Sequence, residues 1–368
     1  MISPSVHTFP KSGPPSWLVD GALLRAIEAT RGVETPSGVL VPHYGCVGIV
    51  KGQSGSDRVR VRRITNKMWL GFDTYQALND AVRDGKIISS PWIKNGSGYS
   101  RANVWGDWWP TDGLPPAGSY GGTANTARQF DNTTVGAIEL RLKTPSGGTR
   151  HLVGRIIYGT TASSGVPELF WLYDRVLTYD GGGVSTVTTT LTNTLAAQRY
   201  IGSGDDGLQI CITVSATMGV VASDLSSLTY TDNVGNTAQA LAAGYTLPWY
   251  TSGPGGSTTA LSPVAVPHDT TNTQTIAPFL PLLAGDSGVR KVEAFTSSVI
   301  NTGTICVGLY KPLAMMWSPN AGSISAVEYG RVTFQLPQIF DAACLSMMGL
   351  SSRSNAASHI ARIQVAHS

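Results

Sequence analysis

Alternating polar and apolar positions dominate the chain. In Arg58-Val-Arg-Val-Arg62 every second residue is arginine, which predicts a strand with the arginines on one face and the valines on the other. Residues 39–50 read as strand and turn, and residues 137–142 alternate again. Residues 151–158 form an apolar run and residues 169–179 a longer aromatic one. Residues 184–192 are β-branched but polar, which suits an edge strand. Further strand patterns lie at 208–216, 227–231, 238–242, 289–295, 304–310, 332–336, 344–350 and 360–365, with turn chemistry at 232–235. Helical spacing is confined to two places. Residues 22–30 follow a capping Asp20 and stop before Gly32; residues 72–83 place Leu78 and Val82 four apart and end at Gly85. Residues 89–134 and 251–275 read as loop-rich.

Strands at short intervals with turns between them predict a mainly β chain. The expected architecture is two β-sandwich or jelly-roll-like domains, with one or two short helices in the N-terminal part. Residues 1–19, with Pro4, Pro10, Pro14 and Pro15, are expected as an extended arm. The first domain is expected over 20–195 and the second over 196–368. No repeat of 20–50 residues is evident, which argues against a solenoid or propeller.

Composition sharpens this picture. Only 13% of residues are charged, about half the usual share, and Gly, Ser, Thr and Asn take their place. Such a surface costs little to desolvate when subunits pack together. The net charge of +3 lacks the basic excess of a dedicated nucleic-acid binder. Cys46, Cys211, Cys306 and Cys344 are far apart and lack a CxxC pair, so they are expected as reduced thiols; the last three lie in apolar runs that should bury them. The N-terminus has no basic stretch followed by an apolar one, and no segment reaches the ~20 apolar residues of a membrane span. Folding in a cytoplasm is the expectation.

Candidate chemistry is sparse. Gly285-Asp-Ser-Gly288 matches the nucleophile segment of chymotrypsin-like proteases, with His43 or His151 as the base on offer. Neither histidine stands in that family's Ala-Ala-His-Cys context. The plainer expectation is a hairpin turn between the 280–283 run and the 289–295 strand. Gly202-Ser-Gly-Asp-Asp-Gly207 fits GxGxxG, but a strand pattern follows where a phosphate site needs a helix. Asp205 and Asp206 alone do not make a calcium site, nor His43 and Cys46 a structural zinc site. No catalytic residue, metal or cofactor is therefore expected. Trp105, Trp108 and Trp109 are expected in a small core or a subunit interface, with stacking on a host glycan as the alternative. Arg58, Arg60 and Arg62 are further interface candidates: a charged edge strand, or one meeting phosphates or an acidic partner.

Several phrases resemble uncharacterised virion structural proteins of tailed phages. These are Leu191-Thr-Asn-Thr-Leu-Ala-Ala-Gln-Arg-Tyr200 with Gly207-Leu-Gln-Ile-Cys211, and Pro278-Phe-Leu-Pro-Leu-Leu-Ala-Gly-Asp-Ser-Gly-Val-Arg290. Thr302-Gly-Thr-Ile-Cys-Val-Gly-Leu-Tyr-Lys-Pro-Leu313 and Leu172-Tyr-Asp-Arg-Val-Leu-Thr-Tyr179 belong with them. The resemblance spans roughly residues 100–350. It implies a virion component without catalysis, made in the host bacterial cytoplasm, whose partners are copies of itself and other virion proteins. Within that class a capsid, decoration or minor capsid role comes first, then a tail, fibre or adsorption role using Trp105, Trp108 and Trp109 on glycan. A serine hydrolase at Ser287 is the remote alternative.

Overall fold

A computed structural model describes residues 47–50, 58–61, 80, 83–95, 104–139, 150–160, 168–183, 188–191, 196–197, 199–201, 207–216, 224–243, 247–248, 264–265, 277–298, 303–318, 325–327, 338–351 and 358–367. The chain divides into two units, Met1–Leu70 and Gly71–Ser368. In the first unit, β1 (Val47–Val50) and β2 (Arg58–Val61) form an antiparallel ladder with Val50 opposite Arg58. The expected arm at 1–19, the helix at 22–30 and Arg62 lie outside the described residues.

The described residues of the second unit are mainly strand, with almost no helix. In chain order they are β3 (Ile87–Asn95), β4 (Val104–Asp107), β5 (Gly113–Leu114), β6 (Thr126–Gln129), β7 (Arg150–Thr160) and β8 (Glu168–Gly183). Next come β9 (Thr188–Thr190), β10 (Gln209–Ala216), β11 (Asp224–Asp232), β12 (Gln239–Ala240), β13 (Leu247–Pro248) and β14 (Val264–Ala265). The last are β15 (Val289–Ser297), β16 (Thr304–Ser318), β17 (Ser325–Val327), β18 (Gln338–Ile339), β19 (Leu345–Ser351) and β20 (Ser358–His367). At the end of the helix expected over 72–83, Asp80 and Arg83 are helical and Gly85 stands at φ +72°, as a helix stop requires.

All the pairings are antiparallel. One sheet runs β14-β10-β16-β8-β19-β4, with β6 also on β8. Its end strands β14 and β4 approach each other, so it nearly closes on itself. A second sheet runs β12-β11-β15-β9, with β13 on β11, and a third runs β17-β7-β20-β3-β5, with β18 on β7. Each of these three sheets combines strands from both sides of residue 195. The boundary expected there is therefore not a boundary between sheets, because long-range pairing leaves no local sequence signal.

Alternation along each strand assigns the two faces of the nearly closed sheet. Ile210, Ile212, Ile305, Val307, Leu309, Leu177 and Tyr179 pack with Leu225, Leu228, Tyr230, Val292 and Phe295 of the second sheet. The intervening Cys211 and Tyr310 cluster instead with Tyr173, Trp105 and Met348. These residues stand on five successive strands of the nearly closed sheet, on the face opposite the one that meets the second sheet. That face is the interior.

Two sequence expectations need correction. Residues 89–134, expected as loop, contain β3, β4, β5 and β6. Strand β3 was hidden because its polarity is inverted. Ser90, Trp92 and Lys94 are buried, whereas Ser89, Pro91, Ile93 and Asn95 are exposed. Pro91 is tolerated because β5 covers only Ile93 and Lys94, leaving that edge open. Conversely, Ala137 to Glu139, expected as strand, is irregular: Ala137 N–H closes a turn on Thr134 O. The edge strand expected at 184–192 is present as β9, at the end of the second sheet.

An aromatic stack joins the third sheet to the first. His359 lies 4.2 Å from Trp108, which in turn meets Trp92 at 5.4 Å and Phe170 at 5.3 Å. Burial lowers the His359 pKa from 6.5 to about 4, so the folded protein holds the neutral ring. Between these values the unfolded chain binds the extra proton. The His359 contribution is therefore complete above pH 6.5 and is lost as pH falls towards 4, at roughly 3 kcal/mol in full. Urea unfolding from pH 7 to pH 4 should show this loss, and His359→Phe should flatten it. Equal pH slopes for the two proteins would contradict the assignment.

Candidate functional site

The densest polar chemistry lies inside the nearly closed sheet. Asp107, the last residue of β4, and Arg175, in β8, are both fully buried and form an ion pair through Oδ2 and Nη2. Asp107 Oδ1 also accepts from Tyr173 Oη at 2.6 Å and from Trp109 N at 3.0 Å. Its Oδ2 accepts from Tyr120 Oη at 2.6 Å. Four donors thus serve one carboxylate, which is how a buried charge is made tolerable.

Aromatic rings surround the guanidinium. Its carbon lies 4.7 Å from the ring centroids of both Trp109 and Tyr310, and 5.4 Å from that of Tyr120. Nη2 also donates to Tyr173 Oη at 2.9 Å. Nε and Nη1 have no oxygen or nitrogen partner; the ring faces supply cation–π attraction instead. Two glycines permit the close approach. A Cβ on Gly118 would stand 2.0 Å from the Trp109 ring, and one on Gly308 would stand 2.3 Å from the Tyr310 ring. Burial pulls the Arg175 pKa down, but Tyr173, Tyr310, Asp107 and Tyr120 outweigh it and hold the pKa above its ordinary value. Burial pushes the Tyr173, Tyr310 and Tyr120 phenols well up, so they stay protonated, and Tyr173 and Tyr120 donate to Asp107.

Two more ion pairs are strung along β8. Asp174 points to the opposite face from Arg175 and takes Arg199 in a two-pronged pair, at 2.9 Å and 3.1 Å. It also accepts from Cys344 N at 2.8 Å. Burial raises its pKa, with Arg199 opposing. Asp180 pairs with Arg128 at 3.0 Å and accepts from Thr178 Oγ1 at 2.7 Å and Cys306 Sγ at 3.3 Å. A further buried charge, Lys94, donates to the carbonyls of Thr111 at 2.8 Å, Pro115 at 2.7 Å and Pro116 at 3.3 Å. Burial lowers its pKa to about 8, with Asp107 and Asp112 opposing.

The residues singled out from sequence have these places. Trp105, Trp108 and Trp109 are buried, none above 1% exposure, and they enter three different clusters. Trp105 joins the interior face, Trp108 the histidine stack and Trp109 the Arg175 cage. They form no common exposed platform. Arg58 and Arg60 lie in β2, opposite Val50 and Gly48 of β1. Gly285-Asp-Ser-Gly288 includes a turn at Gly285, φ +101°, leading into β15, but residues 280–283 are not a strand, so it is no hairpin. Asp286 accepts the Tyr230 hydroxyl at 2.6 Å. Gly288 is needed because a Cβ there would stand 2.4 Å from Gly207 Cα. His43 lies outside the described residues, and of His151 only the backbone is described. Residues 202–206, including Asp205 and Asp206, lie outside as well. Cys211, Cys306 and Cys344 are buried free thiols whose pKa values burial pushes up.

Sequence reasoning missed the central residues. The available signal was a charged residue inside an otherwise apolar strand: Asp107 between Trp105 and Trp108, and Asp174-Arg175 within Leu172–Tyr179. Two surface depressions lie among the described residues. A cleft of about 210 Å³ is lined by Pro91, Leu114, Pro115, Val135 and Glu139 among others; an open groove of about 630 Å³ is lined by Gln209, Phe279, Leu280, Leu283 and Asp286 among others. Each has a single ionisable side chain in its lining. Among the described residues no three His, Cys, Asp or Glu side chains gather as metal ligands, and no helix is long and apolar enough to cross a membrane. No family model, curated protein or solved structure matches the chain.

The arrangement is suited to holding strands together. Asp107, Tyr173, Arg175 and Tyr310 are sealed from solvent, and Tyr120 covers the side nearest to it. Removing one member strands the other charge. Arg175→Met and Asp107→Ala should each cost about 3–5 kcal/mol, and the double variant should cost clearly less than their sum. Chemical denaturation of the four proteins measures this. Losses below ~1 kcal/mol would contradict the role.

Proposed function

We propose that this chain is a structural component of a bacteriophage virion, a capsid or capsid-associated protein that acts by packing against copies of itself and other virion proteins. One observation carries the proposal. The ionic groups of the interior are held by partners within the protein, whereas large apolar side chains stay exposed on sheet surfaces. Trp317 is 61% exposed and Met315 49% exposed, at alternate positions of β16. They pair in register with the half-buried Leu169 and Trp171 of β8. Apolar surface on regular sheets, in a chain poor in charge, fits subunit packing better than it fits a soluble catalyst.

The fold agrees with that use. The second sheet packs face to face on the outside of the nearly closed sheet, and we take this pair as the β-sandwich of a jelly-roll-like shell protein. Cross-braced sheets supply a rigid unit for a symmetric lattice. The resemblance of residues 172–179, 191–211, 278–290 and 302–313 to tailed-phage virion proteins supports the same assignment.

Light scattering of the purified protein over a concentration series, with electron microscopy of the heaviest fraction, tests this. A defined oligomer or a larger regular assembly is expected. The mass of one chain at every concentration would contradict self-packing.

A further inference from the structure

Two hydroxyls inside the nearly closed sheet are left over once the Asp107–Arg175 cage is assembled. Tyr310 and Thr213 are fully buried, and among the described residues neither Tyr310 Oη nor Thr213 Oγ1 has a hydrogen-bond partner. A hydroxyl sealed from water without a partner is a net cost to the fold. Strand register brings the two together. Tyr310 leans back over Gly308, so that a Cβ on Gly308 would stand 2.5 Å from Tyr310 Oη. Gly308 pairs with Cys211 of β10, and Thr213 follows two residues along the same face, opposite Cys306. Diagonal neighbours on one face of a sheet stand roughly 7 Å apart, too far for a direct bond and close enough for one bridging molecule. The Cys211 thiol beside Thr213 is only a weak partner.

We propose that an ordered water is bound inside the nearly closed sheet, bridging the hydroxyls of Tyr310 and Thr213. The surrounding charges decide the occupant. Asp107 and Arg175 neutralise each other. Asp180 is paired with Arg128 and accepts from Cys306 Sγ and Thr178 Oγ1. Burial keeps the Cys211 and Cys306 thiols and the Tyr310 phenol protonated. An added anion would face Asp107 and Asp180, and an added cation would face Arg175 and Arg128. A hydroxyl both donates and accepts, so the occupant must be small, neutral and able to do both. Water meets all three conditions, and buried water commonly serves polar groups of this kind. Occupancy of this site does not depend on the virion reading.

Urea unfolding of the full chain tests the bridge, with circular dichroism checking that each variant is folded. Tyr310→Phe and Thr213→Val each delete one hydroxyl and keep the side-chain shape. Each should lower the unfolding midpoint, because each leaves the other hydroxyl without its water. The double variant should be at least as stable as the weaker single, because both singles lose the same water. A midpoint that rises or stays unchanged in the single variants would show that the hydroxyls are unpaired in the parent protein and would overturn the proposal. Losses that simply add in the double variant would show two separate partners and overturn it as well. A high-resolution crystal structure of the parent protein should place a water about 2.8 Å from both oxygens. Well-defined density for the two side chains with nothing between them would also overturn the proposal.

Discussion

A charged pair inside a sheet constrains everything near it. Removing Asp107 and Arg175 from water costs several kcal/mol per ion, and their mutual attraction offsets that only when the remaining valences are filled. Here the carboxylate receives four donors, and the guanidinium is closed in by Trp109, Tyr310 and Tyr120. Those groups come from β4, the segment after it, β8 and β16. None of these elements can leave without exposing or stranding a charge. The curled shape follows from the same requirement, because the cage needs β4 and β16 to reach a common interior.

Strand β8 bears most of this load. Arg175, Asp174 and Asp180 each hold a partner brought from a different part of the chain: Asp107, Arg199 and Arg128. Consecutive residues serve opposite faces, so a single strand fastens the interior and the packing around it. Partly satisfied networks are worse than apolar cores. The number of bonds on Asp107 and Asp174 is what turns this charge into a brace. In a chain with so few charged residues, several of the ions present are used inside, where geometry is fixed.

The mainly β character was legible, because β7, β8, β10, β11, β15, β16, β19 and β20 carry long apolar or alternating runs. Turn chemistry was legible at Asp232, whose carboxylate accepts the Val234, Gly235 and Asn236 amides. What was hidden had physical causes. Strand β3 buries a lysine and exposes an isoleucine, so its pattern reads backwards. The pairing of β8 with β16 and β19 depends on contacts more than 100 residues apart, to which local propensity is blind. The tryptophans at 105, 108 and 109 were visible as a cluster. Their separation into three cores was not, because it depends on which way each residue faces as β4 ends.

Native-state hydrogen exchange along β8 tests the bracing role most directly. If the Asp107–Arg175 cage holds the interior together, amides of residues 172–178 exchange only through global unfolding, at the full unfolding free energy of the chain. Exchange of those amides through a low-energy local opening, while β20 stays protected, would contradict the account.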